Sequence, residues 1–190
     1  MPAKNYGSFT REPAKRIFAQ ELSGAIHSFK ESNDDKAPTF HVLPSGEKCN
    51  RVLIIGTLTH KEKKGDNHPM YVARIADPTG TFYVNAGSYQ PEAMMQLAKL
   101  EPVTFVCAIG KINSYETPDK KILISIRIET IVPASEELKN KWVLDTAEQT
   151  LHRLNNLQNS PYLQTIETDY WIKPDTIRSA VKNAVATLPL

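Results

Sequence analysis

Aromatic and basic side chains recur along the middle of the 190-residue chain, with a spacing that could bind single-stranded nucleic acid. In "YVARIADPTGTFYV" (71–84), two apolar runs flank a D-P-T-G turn at 77–80, which is typical of a β-hairpin. If Phe82 faces a core, strand alternation places Tyr83 on the opposite face, beside Arg74 of the preceding strand. A tyrosine ring can stack on any base, and an arginine can pair with a phosphate or stack. The alternative is an ordinary strand aromatic beside a solvated surface charge.

Two loops that flank this hairpin supply further candidates. "HKEKKGDNHP" (60–69) is rich in lysine, and "NSYETPDKK" (113–121) combines a tyrosine with two lysines. Basic groups can follow a nucleic-acid backbone while rings stack on its bases. Both loops also contain acids, so two solvated hairpin loops are an equal alternative. The candidate DNA-binding residues are Arg74, Tyr83, Asn85, Lys61, Lys63, Lys64, Lys111, Tyr115, Lys120 and Lys121.

The sequence contains no recognisable catalytic motif, and we expect a protein that is not an enzyme. His60 and His68 share a loop without a third ligand nearby, and Cys49 and Cys107 have no C-x-x-C partner, so no metal or cofactor is predicted. Two isolated cysteines are typical of a reducing compartment, and we expect a cytoplasmic location. No apolar run approaches the ~18 residues of a membrane span, so no membrane partner is expected. A net charge of +2 permits a polyanionic partner without requiring one.

The elements that would position these side chains are strands. From residue 50 to 132 the pattern indicates three strands, a short helix near 90–99 and two further strands, with isoleucines alternating along the last. This order predicts an all-β core with α flanks: a five-stranded OB-fold, which is a Greek-key barrel. The residues expected to be buried are Ile75, Phe82, Val84, Ile124 and Ile126, with Tyr83 exposed.

Helical patterns flank the predicted barrel on both sides. Residues 9–30 have apolar side chains at three- and four-residue steps and predict a helix, followed by a polar linker. The expected organisation is an N-terminal helix and linker (1–36), an OB-fold domain (37–134), an assembly helix (135–159) and a helical tail (160–190). The assembly helix could pack on its own barrel or bundle with a partner. Its candidate partner-binding residues are Trp142, Leu144, Ala147, Leu151 and Leu154.

Four segments carry a resemblance to a known family. They are "AKRIFAQEL" (14–22), "APTFHVLPSGEKCNRVLIIGTLT" (37–59), "ARIADPTGTFYVNAGSYQPEA" (73–93) and "WVLDTAEQTLHRL" (142–154). With D-P-T-G, A-G-x-Y-Q-P-E and T-A-E-Q-T-L in this order, the chain resembles the archaeal replication protein A-associated proteins, which are OB-fold proteins. It is also similar to the middle subunit of replication protein A, in which a helix after the barrel bundles with partner helices.

The resemblance implies single-stranded DNA binding in replication, repair or recombination, within a hetero-oligomer that contains a larger replication protein A subunit and assembles through the C-terminal helix. It does not supply a set of DNA-contacting residues. Two alternatives stay open: an interaction subunit that shares the fold but binds no DNA, and an RNA-binding OB protein. The modest net charge favours the first alternative over a stand-alone DNA binder, whereas the aromatic and basic face favours DNA binding.

Overall fold

The structure is a computed structural model that describes residues 12–34 and 37–189. In chain order, its elements are β1 (Lys15–Arg16), α1 (Ala19–Ser23), β2 (Ser28–Lys30), β3 (Thr39–Val42), β4 (Lys48–Cys49), β5 (Arg51–Lys64), β6 (Met70–Asp77), β7 (Gly80–Gly87), α2 (Pro91–Lys99), β8 (Thr104–Glu116), β9 (Ile122–Pro133), α3 (Glu136–Asn155), a 3₁₀ turn (Leu157–Asn159), α4 (Leu163–Asp169) and α5 (Pro174–Ala186). None of the helices within the described part of the chain is long and apolar enough to cross a membrane.

Five long strands close into a barrel. Strand β5 pairs with β6 on one side and with β8 on the other, β6 pairs with β7, and β9 lies between β7 and β8. Only the β7–β9 pair in this ring is parallel. Helix α2 connects β7 to β8, where the sequence predicted it. This is the topology of the OB-fold, and the predicted fold class is confirmed.

The register within the barrel follows strand alternation. Phe82 and Val84 are buried, and Tyr83 between them is 55% exposed. Ile75 and Ile126 are also buried, as predicted. Ile124 is only partly buried, so the prediction for this residue was wrong: it lies towards the hairpin end of β9, where the strand leaves the core.

The predicted helix over residues 9–30 is wrong for its described part, and residues 9–11 lie outside the described residues. The segment instead forms β1, the five-residue α1 and β2, which joins β3 and β4 in a small second sheet. Its apolar side chains are nevertheless buried or partly buried: Ile17 and Leu22 join the main core, and the partly buried Phe29 packs on a second cluster with Tyr170. The apolar period predicted burial correctly, but the tertiary structure overrides the helical pattern.

The D-P-T-G turn between β6 and β7 explains where α1 begins. The Asp77 Oδ2 atom accepts a hydrogen bond from the backbone N–H of Ala19 at 2.7 Å, and the Thr79 hydroxyl accepts one from the N–H of Gln20 at 3.1 Å. The other Asp77 oxygen accepts from the N–H groups of Thr79 and Gly80 within the turn. Asp77 therefore caps α1 from a distant part of the sequence while it fixes its own turn.

Helix α3 starts as the sequence predicted, because the Ser135 side chain accepts a hydrogen bond from the N–H of Leu138 at 3.1 Å. Its apolar stripe is covered by the same chain. The Trp142 indole donates to the carbonyl of Leu53 on β5 at 3.2 Å, and Ala147 and Leu154 join a core that includes residues of α5. Trp142, Ala147 and Leu154 are therefore buried within this chain, because its own barrel and tail occupy that side of the helix.

A buried ion pair fastens α3 to the N-terminal segment. The carboxylate of Glu21 is fully buried, and the guanidinium of Arg153 lies 2.9 Å from it. Ser45 and Thr150 also donate hydrogen bonds to this carboxylate. The charge of Glu21 is therefore compensated by hydrogen bonds from three side chains, as a buried carboxylate requires.

Candidate nucleic-acid interface

Arg74 and Tyr83 are direct neighbours on the outer surface of the barrel. They are paired across the antiparallel β6 and β7 strands, and the guanidinium carbon of Arg74 lies 5.7 Å from the centre of the Tyr83 ring. This is the distance of a cation–π contact. The guanidinium holds the ring in place while more than half of Tyr83 remains exposed to solvent. The pair that the sequence predicted is therefore formed, with a free aromatic surface.

A cleft of about 290 Å³ opens beside this pair; apolar side chains line part of it, and we call it the polar cleft after its charged side chains. Its walls include His60, Glu62 and Lys64 of β5, together with Arg74 and Asn85. The side-chain amide of Asn85 donates to the hydroxyl of Ser125 on β9 at 3.4 Å, which links β7 to β9 at the bottom of the cleft. The cleft thus combines cations, a neutral amide and one acid.

An apolar groove of about 650 Å³ borders Tyr83 as well. It runs between α1 and the β8–β9 hairpin, with Leu22 on one side and Tyr115 and Leu123 on the other. Tyr115 is exposed and Leu123 is 56% exposed. The polar cleft and the apolar groove share Tyr83 and Ser125, so they form one continuous surface, which we call the groove face.

The three lysines at 61, 63 and 64 were predicted in a loop, but β5 extends to Lys64, so they lie on a strand and do not act alike. Lys64 lines the polar cleft, although its ammonium lies 3.4 Å from the Glu62 carboxylate. Lys63 is exposed but does not line the cleft, because alternation turns it away from Lys64. Lys61 donates to the carbonyls of Ala98 and Leu100 at 2.8 and 2.5 Å, so it caps the C-terminal end of α2. The structure therefore brings only Lys64 of the three into the groove face.

The lysines of the second loop lie at the tip of the β8–β9 hairpin. Lys120 and Lys121 are exposed, and Lys120 adopts a left-handed backbone conformation with φ of 61°. The ammonium of Lys121 lies 2.9 Å from the Asp119 carboxylate. Hydrogen bonds from Thr117, which has the larger effect, and from Lys121 lower the pKa of Asp119. This acid is therefore charged near neutral pH and offsets part of the loop's positive charge.

Lys111 and Arg127 lie further round the barrel, outside the groove face. They face each other across β8 and β9, and Arg127 is also the strand partner of Asn85. The sequence analysis included Lys111 but missed Arg127. The signal was available, because the inward isoleucines of β9 place Leu123, Ser125 and Arg127 on the outer surface.

Within residues 12–34 and 37–189, no group of three or more His, Cys, Asp or Glu side chains is arranged to hold a metal ion. His60 lies in the polar cleft, where its imidazole is 4.0 Å from Glu62.

A scan against models of protein families finds no match, and a search of curated proteins finds no relative. Solved structures share the fold. A chain in the crystal structure of the S. pombe Stn1–Ten1 complex aligns with a TM-score of 0.61 and 13% identity, over 78% of this chain and 98% of that one. A chain of a replication protein A heterotrimer bound to single-stranded DNA aligns with a TM-score of 0.51 and 10% identity, over 75% of this chain and 98% of that one. At these identities, the comparisons show that this chain shares the OB-fold.

Proposed function

We propose that this chain is a non-catalytic single-stranded DNA-binding subunit of an archaeal replication protein A-like complex, acting in DNA replication, repair or recombination. The observation that carries the proposal is the exposed Tyr83 ring held by Arg74, with a polar cleft and an apolar groove on the same surface. OB-folds bind oligonucleotides on the face formed by their second and third strands, which here are β6 and β7.

The two parts of the groove face suit the two parts of a nucleotide strand. Tyr83, Tyr115 and Leu123 offer flat or apolar surfaces, on which unpaired bases can stack. Arg74 and Lys64 border the polar cleft, where phosphates can lie close to positive charge. Stacking requires no particular base, so binding should depend only weakly on sequence.

The partner in this proposal is a larger replication protein A subunit. Its support is the resemblance of four sequence segments and the fold shared with chains of two complexes. Since Trp142, Ala147 and Leu154 are covered within the chain, a partner would contact the outer side of α3, where Leu144 is 52% exposed. Leu138, which is also exposed, lies one to two turns earlier on the same helix.

The proposal predicts that Tyr83→Ala weakens binding to single-stranded DNA by about 1–3 kcal/mol, which is the contribution of one stacked base. Fluorescence anisotropy with a labelled oligothymidylate, using the chain alone and with its co-purified partner, measures this loss. Trp171→Ala is the matched control, because Trp171 is 69% exposed, lies between α4 and α5 and does not border the groove face. Equal effects of the two substitutions would remove the groove face as the binding site.

An interaction subunit that binds no DNA is the second candidate. The observation that favours it is the acid beside each basic cluster: Glu62 next to Lys64, and Asp119 next to Lys121. In that case the wild type binds no oligonucleotide, either alone or with its partner. Oligouridylate in the same assay separates the RNA-binding alternative, which requires tighter binding to RNA than to DNA.

A further inference from the structure

A second polar cavity, of about 310 Å³, lies outside the groove face, between β3 and the outer side of β8 and β9. Its volume is at the lower end of the range of about 300–1,000 Å³ that is usual for small-molecule sites. The side chains that line it include His41, Asn50, Lys111, Asn113 and Arg127. The cavity therefore has space for one small ligand and walls that can make hydrogen bonds.

The two cations of the cavity have no carboxylate partner within the described part of the chain. No acid is among the residues that line it. Glu92 and Glu129 lie on the other side of Lys111 and Arg127, but neither acid forms an ion pair with them. The Glu129 carboxylate instead accepts a hydrogen bond from Arg51 at 2.6 Å. Lys111 and Arg127 therefore leave a positive charge at the cavity that an anion could neutralise.

His41 is the unusual group of this cavity. It is only 1% exposed, and one ring nitrogen, Nε2, lies 3.0 Å from the Ser114 hydroxyl. The other, Nδ1, has no hydrogen-bond partner within the described residues. Burial lowers the pKa of His41 to about 4, so the imidazole is neutral near pH 7 and retains one donor and one acceptor nitrogen. Nδ1 is itself sealed from solvent, so His41 gives the cavity a neutral wall that is fixed by Ser114.

The cavity connects with the groove face through neighbouring strand positions. Asn85, which lines the polar cleft, is the strand partner of Arg127, and Arg127 is in turn the strand partner of Lys111. These outward-facing residues cross β7, β9 and β8 in sequence. A single-stranded DNA that leaves the groove face along this row of residues would next pass Lys111 and Arg127.

We propose that the cavity binds one additional nucleotide of the same single strand, with a phosphate between Lys111 and Arg127 and the base beside His41 and Asn113. This inference rests on the proposed function, because the groove face delivers the strand to the cavity. The exposed amide of Asn113 can meet one donor and one acceptor group of a base edge. The groove face stacks bases of any type, whereas the cavity reads the edge of one base.

The test is a nuclear magnetic resonance titration of the ¹⁵N-labelled chain with oligothymidylates of two lengths. One has about 5 nucleotides and the other about 15, which brackets the usual site size of an OB-fold. We expect both oligonucleotides to shift the Asn85 signals of the groove face. Only the longer one should also shift the side-chain amide of Asn113 and the imidazole nitrogens of His41.

Asn113→Ala adds an affinity measurement that does not require a buried substitution, since Asn113 is exposed at the surface of the cavity. It should weaken binding of the longer oligonucleotide about 2- to 10-fold, which corresponds to the loss of one hydrogen bond, and leave the shorter one unchanged. Shifts at Asn85 with none at His41 or Asn113 for either length would overturn the cavity and leave the groove face standing. The absence of any shift would overturn both.

Discussion

The groove face and helix α3 were both inferred from the spacing of apolar residues, and the structure treats them differently. On the groove face, Tyr83 and Arg74 lie on the exposed side of a strand pair, as alternation predicts. On α3, the stripe with Trp142, Ala147 and Leu154 is covered by the barrel and the tail of the same chain. The first surface remains exposed to solvent, whereas the second contributes to the stability of the fold.

The difference lies in how much of the chain each inference requires. Strand alternation is local, so one buried residue such as Phe82 determines the side on which its neighbour lies. A helical stripe shows only that something covers it, and the covering group can be any apolar surface. For α3 that group includes α5, whose Ile177 and Val181 share its core, and the sequence of α3 does not contain this information.

The largest expected effect on stability comes from breaking the ion pair that attaches α3 to the N-terminal segment. Glu21→Ala leaves the guanidinium of Arg153 buried without its carboxylate, which should reduce the free energy of unfolding by about 3–5 kcal/mol. Urea denaturation followed by circular dichroism measures the loss. The control is Lys141→Ala, which removes the exposed ion pair with Asp145 (3.5 Å) on the same helix. It should lower the free energy of unfolding by no more than about 0.5 kcal/mol. Similar losses would mean that Glu21 does not hold α3.

Two leucines of α3 test whether its stripe serves this chain. Leu154 is 5% exposed, and Leu144 is 52% exposed. Leu154→Ala should lower the free energy of unfolding by about 2–5 kcal/mol, whereas Leu144→Ala should change it by less than about 0.5 kcal/mol. Denaturation of both variants at equal protein concentration provides the measurement. A stable Leu154→Ala chain that no longer assembles with its partner would restore the original interpretation of the stripe as an interface.

The sequence predicted the barrel and the outward direction of Tyr83, because period-2 patterns and turn residues carry that information directly. It did not predict where the Lys61 side chain binds, because a long, charged side chain could equally reach a groove or the carbonyls at the end of α2. It also missed His41, because a polar residue in a short strand shows its burial only once β3 has packed near Ser114. Contacts between residues far apart in the chain were the part that the sequence alone did not supply.

An intermediate effect is expected at the D-P-T-G turn, which caps α1. Asp77→Ala removes the acceptor for the first N–H of α1 and those of the turn, and loss of an N-cap costs about 0.5–2 kcal/mol. Thermal unfolding should detect this loss. Because α1 forms one wall of the apolar groove, the same variant should also weaken DNA binding. Asp77→Asn tests the mechanism, since it keeps an acceptor oxygen and should recover part of both properties.

The smallest expected effect distinguishes two adjacent lysines of β5. Lys64 lines the polar cleft and Lys63 does not, although both are exposed and carry the same charge. A phosphate bound in the cleft releases counterions, so Lys64→Gln should reduce the slope of log Kd against log salt concentration by about 0.7. Lys63→Gln should leave the slope unchanged, because the Lys63 side chain lies on the opposite face of β5 from the cleft. Anisotropy titrations from low to moderate salt supply both slopes. If the two variants change the slope equally, the lysines act only through the overall electrostatic potential of the protein. The DNA backbone would then not pass through the cleft.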